Sequence, residues 1–83
     1  MPKSVTVYTT QGCPYCHRAK NLLQRKGIAF QEVDLTEDAK KRQELQDRYN
    51  WMSVPIILIG EKFIGGANEL DELERTGELS KYL

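Results

Sequence analysis

The chain has 83 residues, with 12 Lys and Arg balanced by 12 Asp and Glu for a formal net charge of zero. That length suits one domain over 1–83, and its small core has to be used well. The neutral balance argues against nucleic acid, which calls for a basic patch. No segment approaches the roughly 20 apolar residues of a membrane helix, and the opening "MPKSVTVYTT" has no apolar stretch of the kind a secretory signal needs. The expectation is a soluble, cytoplasmic protein.

"SVTVY" (4–8) alternates and puts Val5 and Val7 on one face, which predicts a strand. Cys16, Ala19, Leu22 and Leu23 then recur at helical spacing, and Pro14 suits a first helical position because no amide hydrogen is needed there. Gly27 ends that helix. "IAFQEV" (28–33) reads as a second strand. Thr36 is the expected N-cap of a helix through "EDAKKRQELQDRY", whose apolar positions Ala39, Leu45 and Tyr49 make only a narrow stripe. "PIILI" (55–59) and "KFIG" (62–65) are short strands joined by Gly60–Glu61, a two-residue turn with glycine first. Asn68 is the expected cap of a last helix, "ELDELERT", which Gly77 ends, and Leu79, Tyr82 and Leu83 pack the tail back onto the sheet. The order β-α-β-α-β-β-α implies a four-stranded mixed sheet flanked by three helices, with the first two strands parallel and the last two a hairpin.

Both cysteines lie in "TTQGCPYCHRAK" (9–20), as Cys13 and Cys16. A zinc site needs about four ligands, and the chain offers two cysteines and His17, whose position next to Cys16 on a helix points it elsewhere. A structural disulfide across so short a loop would constrain the unfolded chain little. A redox pair fits better. Cys13 precedes the helix, where free amides and the positive end of the helix dipole favour a thiolate, the nucleophilic form. Cys16 sits one turn in, on the buried face. Cys13 is therefore expected to attack and Cys16 to resolve. His17, Arg18 and Lys20 read as exposed helix positions, and Tyr8 as part of the core or sheet edge. Trp51, the one tryptophan, is compatible with covering the site or packing beneath the second helix.

Two further stretches carry chemistry. Pro55 in "SVPII" stands at a strand start, where its missing donor is tolerated. An ordinary trans bond is the base expectation. A cis Val54–Pro55 bond would leave the Val54 backbone free to pair with an extended peptide. In "GGANEL" (65–70), Gly65 and Gly66 let backbone approach a ligand and the following helix start suits a carboxylate.

"CPYC" followed by "HRAK", then "SVP", then "IGG" before a final helix, resembles the glutaredoxins, more narrowly the short bacterial dithiol members, over nearly the whole chain. The resemblance implies a thioredoxin fold, a cis Pro55 and glutathione as co-substrate, with no bound cofactor or metal. It implies Cys13 as nucleophile and Cys16 as resolving thiol. Glutathione would be held by Tyr15, Arg42, Val54, Pro55, Gly66, Ala67 and Asn68. Implied partners are glutathionylated proteins and protein disulfides, ribonucleotide reductase among them, with the chain acting as a monomer. Two positions depart from the pattern. Thr10 stands where such proteins usually have lysine, shifting weight to the helix terminus and Arg42. Ala67 and Asn68 replace the usual cysteine and acidic or serine residue, leaving Glu69 as the candidate partner for a glutamyl ammonium. The alternatives are an iron–sulfur cluster bridged between two chains with glutathione, which the stiff Pro14–Tyr15 pair disfavours, and a thioredoxin-like electron donor, which the "GGAN" helix start disfavours.

Overall fold

A computed structural model describes residues 4–83. Its elements are β1 (Val5–Thr9), α1 (Pro14–Arg25), β2 (Gln31–Asp34), α2 (Ala39–Tyr49), β3 (Ile56–Ile59), β4 (Lys62–Gly65), α3 (Ala67–Thr76) and α4 (Leu79–Tyr82). The strands form one mixed sheet in the order β2-β1-β3-β4. β1 runs parallel to β2, with Val7 opposite Glu32, and antiparallel to β3, with Val7 opposite Ile57. β3 and β4 are an antiparallel hairpin with an irregularity at Ile57/Leu58. Its turn places Gly60 at φ 61°, left-handed backbone that glycine adopts without a steric cost.

The period-two alternation of strands divides the apolar residues between two layers. On one side Val5, Val7, Ile57 and Ile59 meet Ala19, Leu22 and Leu23 of α1, Ala67 and Leu70 of α3 and Leu79 of α4. On the other side Ile56 packs with Leu35 and Leu45, and Tyr8, Val33, Tyr49, Trp51 and Phe63 flank them. β3 is buried along its whole length because it is an inner strand covered on both faces.

The expected mixed sheet, its parallel β1–β2 pair and its β3–β4 hairpin are those observed, the β1–β3 pairing joins the two halves, and four details differ. β2 begins at Gln31, not Ile28: Ile28 and Phe30 are half-buried against the core, but the ladder with β1 starts only at Gln31 opposite Thr6. The cap of α2 is Asp38, whose carboxylate accepts the Lys41 amide at 3.1 Å. Thr36 is drawn away instead, its amide and hydroxyl both donating to Asp34 Oδ1 at 2.8 and 2.5 Å. The cap of α3 is Gly66, not Asn68, because the Gly66 carbonyl already accepts the Leu70 amide. The tail winds into a fourth, short helix, with Leu79 buried in the larger core as the apolar pattern required.

Candidate functional site

The β1–α1 junction brings the two thiols together. Gly12, at φ 73°, turns the chain out of β1, and Cys13 follows in extended backbone as the N-cap of α1. Pro14 occupies the first helical position without leaving a donor unpaired. Cys13 Sγ accepts the Cys16 backbone amide at 3.3 Å, which makes the sulfur itself the cap of the helix. Both cysteines are free. Cys13 is half-buried, whereas Cys16 is only 2% exposed.

That difference in burial separates the sulfurs chemically. The Cys16 thiol is pushed up to about 12, first by burial and then by its hydrogen bond to Cys13, against a smaller downward pull from the Thr10 backbone and the Lys20 charge. Cys16 is thus held as a thiol beneath its more accessible neighbour.

A second segment reaches Cys13 from the far side of the sheet. α2 ends at Asn50 in left-handed backbone (φ 51°), and the Trp51 amide folds back onto the Gln46 carbonyl at 2.9 Å. The chain then runs through Met52 and Ser53 to a cis Val54–Pro55 bond ahead of β3. The Val54 carbonyl accepts from Cys13 Sγ at 3.7 Å.

A third segment closes the site. Glu69 Oε1 accepts the Gly66 amide at 2.9 Å, fixing the entry to α3. A side chain would be strained at Gly65 and would crowd the Trp51 ring at Gly66. A Cβ on Gly65, at φ 122°, would meet Glu69 Cγ at 2.8 Å, and one on Gly66 would meet the Trp51 ring at 3.2 Å.

Together these segments wall a cleft of about 230 Å³ lined by Tyr15, Trp51, Ser53, Val54, Pro55, Gly66, Ala67, Asn68 and Glu69. Val54 belongs both to the cleft and to the surroundings of the Cys13 sulfur. A larger hollow of about 530 Å³ around Ile28, Phe30 and Leu83 touches neither thiol.

Six of the residues expected to hold a ligand (Tyr15, Val54, Pro55, Gly66, Ala67 and Asn68) line this one cleft. Arg42 does not; it is exposed on α2 and its backbone amide joins the Asp38 carbonyl. Ser53 is an added wall that no sequence signal marked. Trp51 proves to do both things its position allowed: it lines the cleft and packs edge-on against Phe63 at 5.5 Å, itself stacked on Tyr49 at 4.8 Å. Its indole N–H is buried without a partner among the described residues. Glu69 spends one carboxylate oxygen on the helix start, so only the remaining acceptor capacity faces a ligand.

The glutaredoxin family model matches residues 5–64. A glutaredoxin of Pseudomonas aeruginosa is 48% identical over 79 residues, covering 95% of this chain and 94% of its own. Glutaredoxin 3 of Escherichia coli K12 is 44% identical over 80 residues, 96% of each chain. A crystal structure of a buckwheat glutaredoxin–glutathione complex superposes with a TM-score of 0.87 at 29% identity, covering 95% of this chain and 74% of that one. With its paired thiols at the first turn of α1, the chain belongs to the glutaredoxin family of glutathione-dependent thiol–disulfide oxidoreductases.

Proposed function

We propose that this protein uses glutathione to reduce protein–glutathione mixed disulfides and protein disulfides, with Cys13 as nucleophile and Cys16 as resolving thiol. The Cys13 thiolate attacks the glutathione sulfur of a mixed disulfide; the Cys13–glutathione bond forms and the protein thiolate leaves. A second glutathione thiolate then takes the bound one, giving glutathione disulfide and free Cys13. In the other branch Cys13 attacks a protein disulfide or a glutathione mixed disulfide, and one thiolate leaves. The Cys16 thiolate then attacks the Cys13 sulfur, releasing the protein or glutathione thiolate still bound there and leaving an internal disulfide that further glutathione reduces. Exchange of this kind depends on the attacking thiolate and on the leaving thiol alike.

The observation that carries the reading is Val54, which neighbours the Cys13 sulfur and lines the adjoining cleft. A glutathione whose sulfur is at Cys13 therefore has a cleft within reach for the rest of the molecule. Its cysteinyl backbone lies against Val54, Tyr15 flanks it beside Pro55, and its γ-glutamyl end meets the start of α3 at Gly66, Ala67 and Asn68. Helix amides at that start attract a carboxylate. Arg42 would approach the glycyl carboxylate from outside the cleft. The chain works as a monomer in the cytoplasm, as one domain with no resident cofactor, and ribonucleotide reductase is among the disulfide partners it would serve.

The test is turnover of a glutathionylated peptide and of a protein disulfide, coupled to glutathione reductase. Cys13→Ser is expected to lose both activities by at least about 10³-fold, since the nucleophile is gone. Cys16→Ser is expected to keep the first and lose the second. Loss of deglutathionylation in Cys16→Ser would defeat the single-thiol branch.

A further inference from the structure

The resolving branch poses a physical difficulty. Cys16 must ionise to attack, yet it is 2% exposed, and burial, the largest cause of its raised pKa, remains when Cys13 is bound to glutathione. A buried thiolate has lost most of its hydration and needs compensation from fixed charges or donors.

The charged group placed to supply it comes from α1 itself. Lys20 lies four residues beyond Cys16, on the same face of the helix. Helical side chains lean toward the N-terminus, so that of Lys20 lies back over the turn carrying Cys16. It is also held in place. Its ammonium pairs with Glu32 Oε2 of β2 at 3.0 Å, and the same oxygen accepts the hydroxyl of Thr9 on β1 at 2.8 Å. Thr9 is 2% exposed and directly precedes Thr10, whose backbone draws the Cys16 thiol down. The Lys20 side chain is 22% exposed, drier than the Lys26 and Arg75 side chains of the other ion pairs among the described residues. Around Cys16 the titratable and charged groups are Cys13 and Lys20 on α1, with Glu32 and Asp34 behind Lys20 on β2.

We propose that Lys20, clamped by Glu32 and Thr9, is a positioning residue for the resolving step. It places a positive charge beside Cys16 as that sulfur ionises, and Glu32 both orients this charge and partly cancels it. The step itself is balanced: the Cys16 proton passes to solvent, the Cys16 thiolate attacks Cys13 Sγ of the Cys13–glutathione mixed disulfide, the new internal disulfide forms, and glutathione leaves as thiolate. This inference rests on the assignment of Cys16 as resolving thiol.

A clamp that mattered only for folding would give the same sign of effect whichever partner was removed. An electrostatic one gives opposite signs. Reduced protein is mixed rapidly with glutathione disulfide, quenched in acid at successive times and weighed intact, so that the mixed disulfide and the internal disulfide are resolved. In Lys20→Met the mixed disulfide is expected to persist about threefold longer, the size of a single partly screened charge nearby. In Glu32→Gln it is expected to decay faster, by about twofold on the same argument. Lys20→Arg keeps the charge and should stay close to the parent. The pH midpoint of the decay should move up in Lys20→Met and down in Glu32→Gln. Unchanged lifetimes, or changes of the same sign in both variants, would overturn the role of Lys20 while leaving the thiol assignments standing. A parent protein that forms no mixed disulfide at Cys13 would remove the site reading and this inference with it. Should Lys20→Met fold poorly, Glu32→Gln against Lys20→Arg still decides the sign.

Discussion

α1 and α2 lie on opposite faces of the same sheet and are built for different purposes. α1 buries Cys16, Ala19, Leu22 and Leu23 in a layer it shares with α3 and α4. α2 buries only Leu45 and Gln46, and the layer beneath it is finished by Tyr8 of β1, Tyr49 at the end of α2, Trp51 of the loop that follows and Phe63 of β4. The thiols sit on the heavily packed helix. The cleft wall from Trp51 to Val54 hangs from the end of the lightly packed one. The support under the nucleophile and the recognition segment are thereby carried by different faces of the sheet.

Core truncations put that contrast to its hardest test. Leu23→Ala, at a fully buried α1 position, is expected to cost about 3–4 kcal/mol, and Leu45→Ala on α2 about 2 kcal/mol, because a site nearer the surface collapses more readily around the lost atoms. Urea unfolding measures both, and equal losses would mean the two layers are equally tight. Next comes the α2 cap. Asp38→Ala removes the acceptor for the Lys41 amide and should cost about 1 kcal/mol in the same experiment, with thiol exchange little changed if α2 is mechanically separate from the site.

The smallest effect lies at the β1–β2 edge that backs α1. Lys20 and then Thr9 hold the Glu32 carboxyl below its ordinary 4.5. A carboxylate depressed in the folded state contributes stability above its unfolded value, and that stability is lost as pH falls through the folded value. Thermal midpoints should therefore decline on acidification below about pH 5, less steeply in Glu32→Gln. An identical pH profile in that variant would show that the clamp contributes nothing to stability.

The same contrast explains what the sequence could reveal. β1, α1 and the thiol loop were legible because alternation, an i, i+3, i+4 stripe and a Cys-Pro helix start mark them locally, whereas β3 showed only as an apolar run and β2 began later than its apolar residues suggested. α2 was harder. Its start carries both Thr36 and Asp38, and only the tertiary contact of Thr36 with Gln11 and Asp34 decides which one caps. Asn68 was a sound choice on propensity, but Glu69 reaching back to Gly66 started the helix earlier. The cleft residues were legible from the family resemblance, since Val54 and Gly66 are far apart in sequence and meet only in the fold. Lys20 read as one more exposed charge because nothing in the sequence reports that Lys20 and Thr9 share a carboxylate oxygen of Glu32 on the next strand.

The indole of Trp51 has a use beyond closing a wall. It is the chain's one tryptophan, its ring stands over Gly66, and its N–H has no partner among the described residues. Light absorbed selectively by tryptophan is therefore absorbed at a single place, in the wall of the cleft. A ligand that enters the cleft is expected to change the polarity around that ring, so a shift in the emission of the unlabelled protein on adding glutathione would serve as an optical titration of the cleft.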